Sequence, residues 1–211
     1  MLHVCPSCGK YSEDLCFSED KNAVVCPVCG AGVPIRRQPL FWITGASCAG
    51  KSTVSRELFL QDNGLIVLES DILWDDKWEA MGDNYRTYRR TWLRVCQNVC
   101  QQAGKPVVLC GCCEPSQFAG LSETGFFTGI HFLAVVCRDE ALERRMDRRG
   151  TTDPGVRRTH RDFNRWFYEN HSNTDPPITL LDTSDLTPAK AAEQALAWCR
   201  EILAKENPYE R

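Results

Sequence analysis

Leu40-Phe41-Trp42-Ile43-Thr44 runs straight into Gly45-Ala46-Ser47-Cys48-Ala49-Gly50-Lys51-Ser52, and this stretch decides how the rest of the chain is read. The pattern is Gly-x-x-x-x-Gly-Lys-Ser, preceded by a short apolar run that reads as a strand and followed by a helical stretch, Lys51 to Leu60. Glycines in such a connection let successive backbone N–H groups turn inward as an anion nest, and the helix N-terminus adds its dipole. Residues Gly45, Ala46, Ser47, Cys48, Ala49, Gly50, Lys51, Ser52 and Thr53 are therefore expected to hold the phosphates of a nucleoside triphosphate, ATP first. Lys51 is expected at the β- and γ-phosphates, the Ser52 hydroxyl on Mg²⁺, and Thr53 on the α-phosphate. An ordinary Gly-rich turn explains the match less well, because the loop lies between strand and helix as the chemistry requires.

Outward from this loop, apolar runs alternate with amphipathic stretches, the signature of βαβ units and a parallel sheet. The runs are Leu40 to Thr44, Leu65 to Leu68, Pro106 to Cys110, His131 to Cys137 and Ile178 to Leu181. Each is short and rich in Val, Ile, Leu or Phe, as a strand covered on both faces should be. In the stretch from Asp83 to Ala103, Tyr85, Tyr88, Trp92, Val95, Val99 and Ala103 form one apolar stripe, and Gly104 ends that helix. Further helices are expected over Glu140 to Arg149, over Arg157 to Asn170, and after Thr187-Pro188, with Ala192, Leu196, Cys199 and Leu203 on the inner face of the last.

The N-terminal piece has a different texture. Cys5-x-x-Cys8 and Cys26-x-x-Cys29 both read Cys-Pro-x-Cys-Gly and are separated by 17 residues, the spacing of a four-thiolate zinc site. Four thiolates leave no open position on Zn²⁺, so Cys5, Cys8, Cys26 and Cys29 are read as ligands of a structural ion. About 35 residues cannot bury a sufficient core alone, and the coupled zinc-binding energy would decide whether this piece folds. The organisation that follows is a zinc ribbon over residues 1–35, a polar joint over 36–39, and a larger domain over 40–208. Acidic pairs, Glu13-Asp14 and Glu19-Asp20, disfavour a phosphate-binding face on the ribbon, so a structural, oligomer or partner surface is the preferred reading over a nucleic-acid grip.

The whole chain has 211 residues, a net charge of −3 and 13 cysteines. That charge argues against a surface devoted to nucleic acid, without excluding a local basic cleft. An odd cysteine count and the absence of a charged-then-apolar leader predict a reducing cytoplasm. No apolar run approaches the roughly 20 residues that span a bilayer. Cys96, Cys100, Cys110, Cys112 and Cys113 are read as buried thiols rather than a second metal site, and Cys16 as packing. His160 is read as a surface histidine.

Three features beyond the phosphate loop bear on chemistry. The second strand leads into Leu68-Glu69-Ser70-Asp71, where Asp71 stands at the strand's carboxyl end and could cap the helix from Ile72. Arg145-Met146-x-x-Arg149 puts two guanidinium groups on one helix face, and Gly150 to Gly155 has the composition of a short lid. Arg157, Arg158, Arg161 and Arg165 follow, either closing on phosphates or forming a solvated charged face. The third strand ends Cys110-Gly111-Cys112-Cys113 with no carboxylate, and Glu114 is the nearest acid.

Together these features resemble the small-molecule and nucleotide kinases of the P-loop class, the group of adenylate, shikimate, gluconate, nucleoside and polynucleotide kinases. Arg145-Met146-x-x-Arg149 is similar to the R-L-x-x-R stretch that opens their lid, with Met in place of Leu. The resemblance covers residues 40 to 205. It implies an α/β three-layer sandwich around a five-stranded parallel sheet of order 2-3-1-4-5, with a lid around 145–165 and the zinc ribbon as an N-terminal addition. It further implies ATP-dependent transfer to a small acceptor, a nucleoside or nucleotide first, with Lys51, Asp71, Arg145 and Arg149 as catalytic residues. In this reading Mg²⁺ rests on Ser52, phosphates and water, with help from Asp71. Tyr85, Arg86, Arg89 and Arg90 are acceptor-site candidates on the following helix. The alternatives are a 5′-hydroxyl polynucleotide kinase and a regulatory protein that uses ATP as a switch.

Overall fold

The computed structural model describes residues 3–206 apart from Asp14; Asp14 of the acidic pair and residues 207–208 of the larger span lie outside it. Two sheets are formed. The first is antiparallel, from β1 (Cys16–Ser18), β2 (Ala23–Val25) and β3 (Gly32–Pro34) in that order. The second contains β4 (Leu40–Thr44), β5 (Ile66–Glu69), β6 (Val107–Cys110), β7 (Ile130–Val136) and β8 (Ile178–Asp182). Its spatial order is β5-β6-β4-β7-β8 with every pairing parallel. Counting within this sheet, that is the expected 2-3-1-4-5.

Side-chain alternation along β4 explains why its sequence is apolar throughout. Leu40 and Trp42 enter one core, while Phe41 and Ile43 enter the other, and all four are fully buried. A strand at the centre of a parallel sheet has no face left for water. The core of Phe41 and Ile43 is closed by α1 (Lys51–Phe59), α4 (Asp139–Arg149) and α6 (Pro188–Glu206), through Val54, Leu58, Leu142, Met146, Ala192, Ala195 and Cys199. The core of Trp42 is closed by α3 (Arg86–Ala103) and α5 (Pro154–Asn170), through Tyr88, Trp92, Leu93 and Phe167. A single short turn, α2 (Lys77–Ala80), precedes α3. Among the described residues no helix is long and apolar enough to cross a membrane.

Two expectations are revised. On α3 the buried row is Tyr88, Trp92, Leu93, Cys96 and Cys100, whereas Val95 and Val99 are half-buried and Ala103 is exposed. The helix is covered on its flank as well as from the sheet, so its buried sector is wider and rotated from the expected stripe. The lid span is also different. Gly150 caps α4, Asp153 caps α5 by accepting from the Val156 N–H (2.9 Å), and only four residues, 150–153, join the two helices. Arg157 bridges Glu143 and Asp147, Arg161 bonds Glu143 (2.5 Å), and Arg165 reaches Asp139 (3.4 Å). These ion pairs clasp the two helices together, and three of the four arginines read as phosphate-closing are engaged in them.

The ribbon is fastened to the α3 side. Leu15 and Val24 are buried in the same core as Trp42 and Trp92. In the 36–39 joint, Arg37 bonds both carboxylate oxygens of Glu19 (3.0 and 3.1 Å) and donates to the Phe127 carbonyl. Glu123, 2% exposed, accepts from Arg90 (2.5 Å) and Arg94 (3.0 Å). Burial pulls the Glu123 carboxyl upward, but the arginines and its own backbone N–H outweigh it and hold the group below the usual range. A carboxyl depressed in the folded state stabilises above its unfolded pKa and loses that contribution as pH falls through the folded value. Glu123→Gln is expected to destabilise the fold by about 2 kcal/mol at pH 7, below the roughly 3–5 of a fully enclosed pair because both arginines reach water. The gap between variant and wild type in urea melts should close as pH drops below about 4.

Candidate active site

The phosphate loop lies at the carboxyl end of β4, the central strand. Gly45 has φ 137°, and a Cβ placed there would stand 2.2 Å from the Val135 carbonyl oxygen of β7, so only glycine passes. Cys48 also takes a left-handed conformation (φ 67°), which turns successive N–H groups toward one concavity. Lys51 is buried and folds back over the loop, its Nζ 2.9 Å from the Ala46 carbonyl. A cleft of about 450 Å³ opens over the loop. It is lined on one side by Ser47, Cys48, Gly50, Ser52 and Thr53, and on the other by Glu69, Asp71 and Cys112, with Arg145 and Arg149 at its end.

The acid beside Ser52 is one that the sequence reading did not single out. Ser52 Oγ donates to Glu69 Oε1 at 3.0 Å. Glu69 closes β5, the second strand of the large sheet, and β6 between β5 and β4 is followed by the small residues Gly111 and Cys112. Glu114 is used otherwise: it caps the 3₁₀ turn Pro115–Phe118 in a reciprocal arrangement with Gln117 and accepts from Ser116. Asp71 sits in the 3₁₀ turn Ser70–Leu73 with its side chain exposed to the cleft, and among the described residues no backbone N–H donates to it. The helix-cap alternative for Asp71 therefore lapses.

Arg145 and Arg149 behave differently from each other. Arg145 donates to the Ala49 carbonyl (2.6 Å) and to Thr183 through its hydroxyl (2.9 Å) and carbonyl (2.7 Å). It thus ties the phosphate loop to the segment after β8. Arg149 faces the cleft with no ion pair among the described residues. His160 lies near enough that burial first, then the charges of Lys51 and Arg149, hold its imidazole below the ordinary value. The sequence gave no sign of this proximity, which arises from α5 folding back along α4.

On α3, Arg86 donates to the Ala119 carbonyl and Arg90 is held by Glu123, and neither lines the cleft. Arg89, only 4% exposed, bonds Gln117 (3.0 Å) and the Cys112 carbonyl (2.5 Å) and lies over the rings of Tyr88 and Trp42. Tyr85 begins α3 in a left-handed conformation and its ring stands 5.8 Å from that of Trp74. Trp74, missed by the sequence reading, is 45% exposed just beyond Asp71.

The four N-terminal cysteines also meet. Their sulfurs all lie within 4.8 Å of one another, with Cys5–Cys29 at 3.7 Å and Cys8–Cys26 at 3.8 Å. A tetrahedron with about 2.3 Å zinc–sulfur bonds has edges of about 3.8 Å, so the set fits zinc, and the distances are far from the roughly 2 Å of disulfides. The backbone repeats in both halves: Gly9 N–H bonds Cys5 O and Gly30 N–H bonds Cys26 O, each at 2.9 Å. The Cys8 backbone N–H lowers the Cys5 thiol to about 6. At Cys29 the Ala31 N–H acts in the same sense, but the neighbouring sulfurs and burial prevail and raise the thiol to about 12. Ionising all four sulfurs at this spacing would be unfavourable without a cation between them. The other cysteines do not form such a group among the described residues. Burial raises Cys110 to about 11 and Cys113 to about 12, while Cys112 and Cys16 are exposed, so Cys16 is neither ligand nor packing.

Gly111 allows the Ser70–Asp71 turn to approach: a Cβ there would lie 1.8 Å from Ser70 Oγ and 2.8 Å from Ser70 Cβ. Gly111→Ala is expected to displace that turn, lowering stability by roughly 1–3 kcal/mol while leaving affinity for a fluorescent ATP analogue near wild type. Thermal melts and an analogue titration check both halves.

Residues 42–172 match the family model described as AAA domain. No curated protein matches the sequence. Solved structures similar to this chain include a gluconokinase from Sinorhizobium meliloti 1021, 17% identical with a TM-score of 0.56, covering 83% of this chain and 100% of its own. A sugar kinase from Janibacter sp. HTCC2649 is 18% identical with a TM-score of 0.55, covering 78% and 95%. The tunicamycin resistance protein of Deinococcus radiodurans is 19% identical with a TM-score of 0.56, covering 77% and 95%. At these identities the likeness concerns the fold, which is that of P-loop kinases. With a family match over most of the domain that carries the phosphate loop, the chain belongs to the AAA domain family of P-loop proteins.

Proposed function

We propose that this protein is an ATP-dependent phosphotransferase that passes the γ-phosphoryl group to a hydroxyl of a small acceptor, a nucleoside or nucleotide first. One observation carries the reading: a single cleft opens on Lys51, Ser52 with Glu69, Asp71 and Arg149 together. In such a transfer the acceptor oxygen forms a bond to the γ-phosphorus as the bond to the β-phosphate oxygen breaks. Asp71 would orient the acceptor hydroxyl and take its proton. Negative charge grows on the departing diphosphate, where Lys51 and the loop N–H groups stabilise it. Mg²⁺, held by Ser52 and Glu69, would neutralise the triphosphate oxygens. Arg145 keeps the loop seated against Thr183, and Arg149 is available for the phosphates.

The nucleoside preference is supported by aromatic surface beside Asp71, since Trp74 against Tyr85 suits a planar base. A sugar-type hydroxyl is the second reading, favoured by the gluconokinase and sugar kinase among the similar folds. The zinc set at Cys5, Cys8, Cys26 and Cys29 supplies structure in either case.

A labelled-ATP transfer screen over nucleosides, nucleotides, sugars and sugar acids is the direct test. Lys51→Ala should abolish transfer, and equal activity of the two proteins would overturn the reading. Asp71→Asn is expected to lower kcat by about 10²–10⁴ with the KM for ATP little changed. Glu69→Gln should raise the Mg²⁺ concentration for half-maximal activity by about tenfold, through loss of a ligand-strength contact. An unchanged magnesium titration would remove Glu69 from the metal site.

A further inference from the structure

The zinc ribbon touches the rest of the chain on one side only of the large sheet, and that side carries the acceptor wall. Its strand β1 packs on the 3₁₀ turn Ser122–Phe126, so closely that a Cβ on Gly125 would stand 3.4 Å from Phe17 Cβ. Arg94, on α3, donates at once to the Glu13 carbonyl of the ribbon (2.9 Å) and to Glu123 of that turn (3.0 Å). Arg37 joins Glu19 to the Phe127 carbonyl and stacks over Phe17 at 4.3 Å. At the other end of α3, Gln101 and the Arg36 backbone exchange hydrogen bonds.

From α3 two contacts continue to the cleft. Tyr88 Oη donates to the Ser70 carbonyl at 2.5 Å, directly before Asp71, and Arg89 holds the Cys112 carbonyl. The phosphate side is built differently: α1, α4 and α6 share the opposite core, and among the described residues none of the ribbon enters it.

We propose that the zinc-bound ribbon is the positioning support of the acceptor wall, acting through Arg94, Glu123 and α3, and that the phosphate loop is independent of it. The naming of that wall rests on the phosphotransferase reading; the mechanical dependence does not. Zinc bound by the four cysteines holds Leu15, Val24 and the Glu13 carbonyl in place. Those groups complete the core and the hydrogen bonds of α3, and α3 in turn fixes the turns that carry Asp71 and Cys112. Withdrawal of the ion therefore loosens one wall of the cleft and spares the other.

The test uses the full chain with zinc bound, and the same chain after zinc is withdrawn by a chelator under reducing conditions and Mg²⁺ is restored. Amide hydrogen exchange should accelerate by about tenfold or more in Arg86–Ala103, Ser122–Phe126 and Ser70–Leu73, with Lys51–Phe59 and Pro188–Glu206 near their original rates. Affinity for a fluorescent ATP analogue should stay within about threefold, and zinc re-addition should restore the exchange pattern. Arg94→Met, with all four cysteines and zinc intact, gives the same pattern at smaller amplitude should the stripped chain aggregate, and Arg94→Lys recovers part of it. Faster exchange confined to residues 3–35, uniform acceleration with loss of analogue binding, or an Arg94→Met chain with wild-type exchange in α3 would each overturn the proposal. Failure of phosphoryl transfer with this exchange pattern intact would count against the catalytic reading alone.

Discussion

The approach of Gly45 to the Val135 carbonyl is the constraint on which the rest of the molecule depends. Parallel pairing of β4 with β6 and β7 leaves its last residue hemmed on both sides. The chain leaves the sheet at that point only because position 45 has no Cβ, and it must then turn with left-handed residues at Cys48 and Gly50 before α1 begins. The phosphate concavity is thus a consequence of how the central strand ends. Once it is set there, the neighbouring strands place their own carboxyl ends around it, and Glu69, Gly111 and Thr183 become its surroundings.

The two faces of the sheet have different tasks. One core, under α1, α4 and α6, carries the loop and Lys51, and Arg145 seals it to Thr183. The other core, under α3 and α5, carries the aromatic side chains, the ribbon and the turn with Asp71. Most guanidinium groups on the surrounding helices satisfy carbonyls or carboxylates of their own fold: Arg86 at Ala119, Arg90 and Arg94 at Glu123, Arg157 at Glu143. Ionic clasps of this kind set the spacing of helices more than they supply net stability. Arg148 and Arg149 line the cleft without an ion pair among the described residues.

The strands and the phosphate loop were legible because their signals are local. A strand covered on both faces must be apolar at every position, and Leu40 to Thr44 coincides with β4 for that reason. The zinc cysteines were legible likewise, since each pair closes within five residues and the second repeats the first. The last helix kept its expected face because Ala192, Leu196 and Cys199 enter the core shared with α1. On α3 the expected stripe missed Leu93, Cys96 and Cys100, because the ribbon and the Ser122–Phe126 turn cover its flank, and neither neighbour is encoded in the helix itself. The lid composition was read from glycines, while the behaviour of that span is set by ion pairs between residues ten to twenty-six positions apart.

The sequence alone determined that this chain carries a phosphate loop between a buried strand and a helix, and that four cysteines gather in a set that fits zinc, because both are made from neighbouring residues and backbone. Only the tertiary structure decided which acid stands beside Ser52. Glu69 and Ser52 belong to different βα units, and their 3.0 Å contact forms only when the sheet places the carboxyl ends of β4 and β5 on either side of β6. The same holds for the ribbon. Its fold is written in its cysteines, but its attachment to α3 comes from apolar and charged groups that meet only when both sheets have formed.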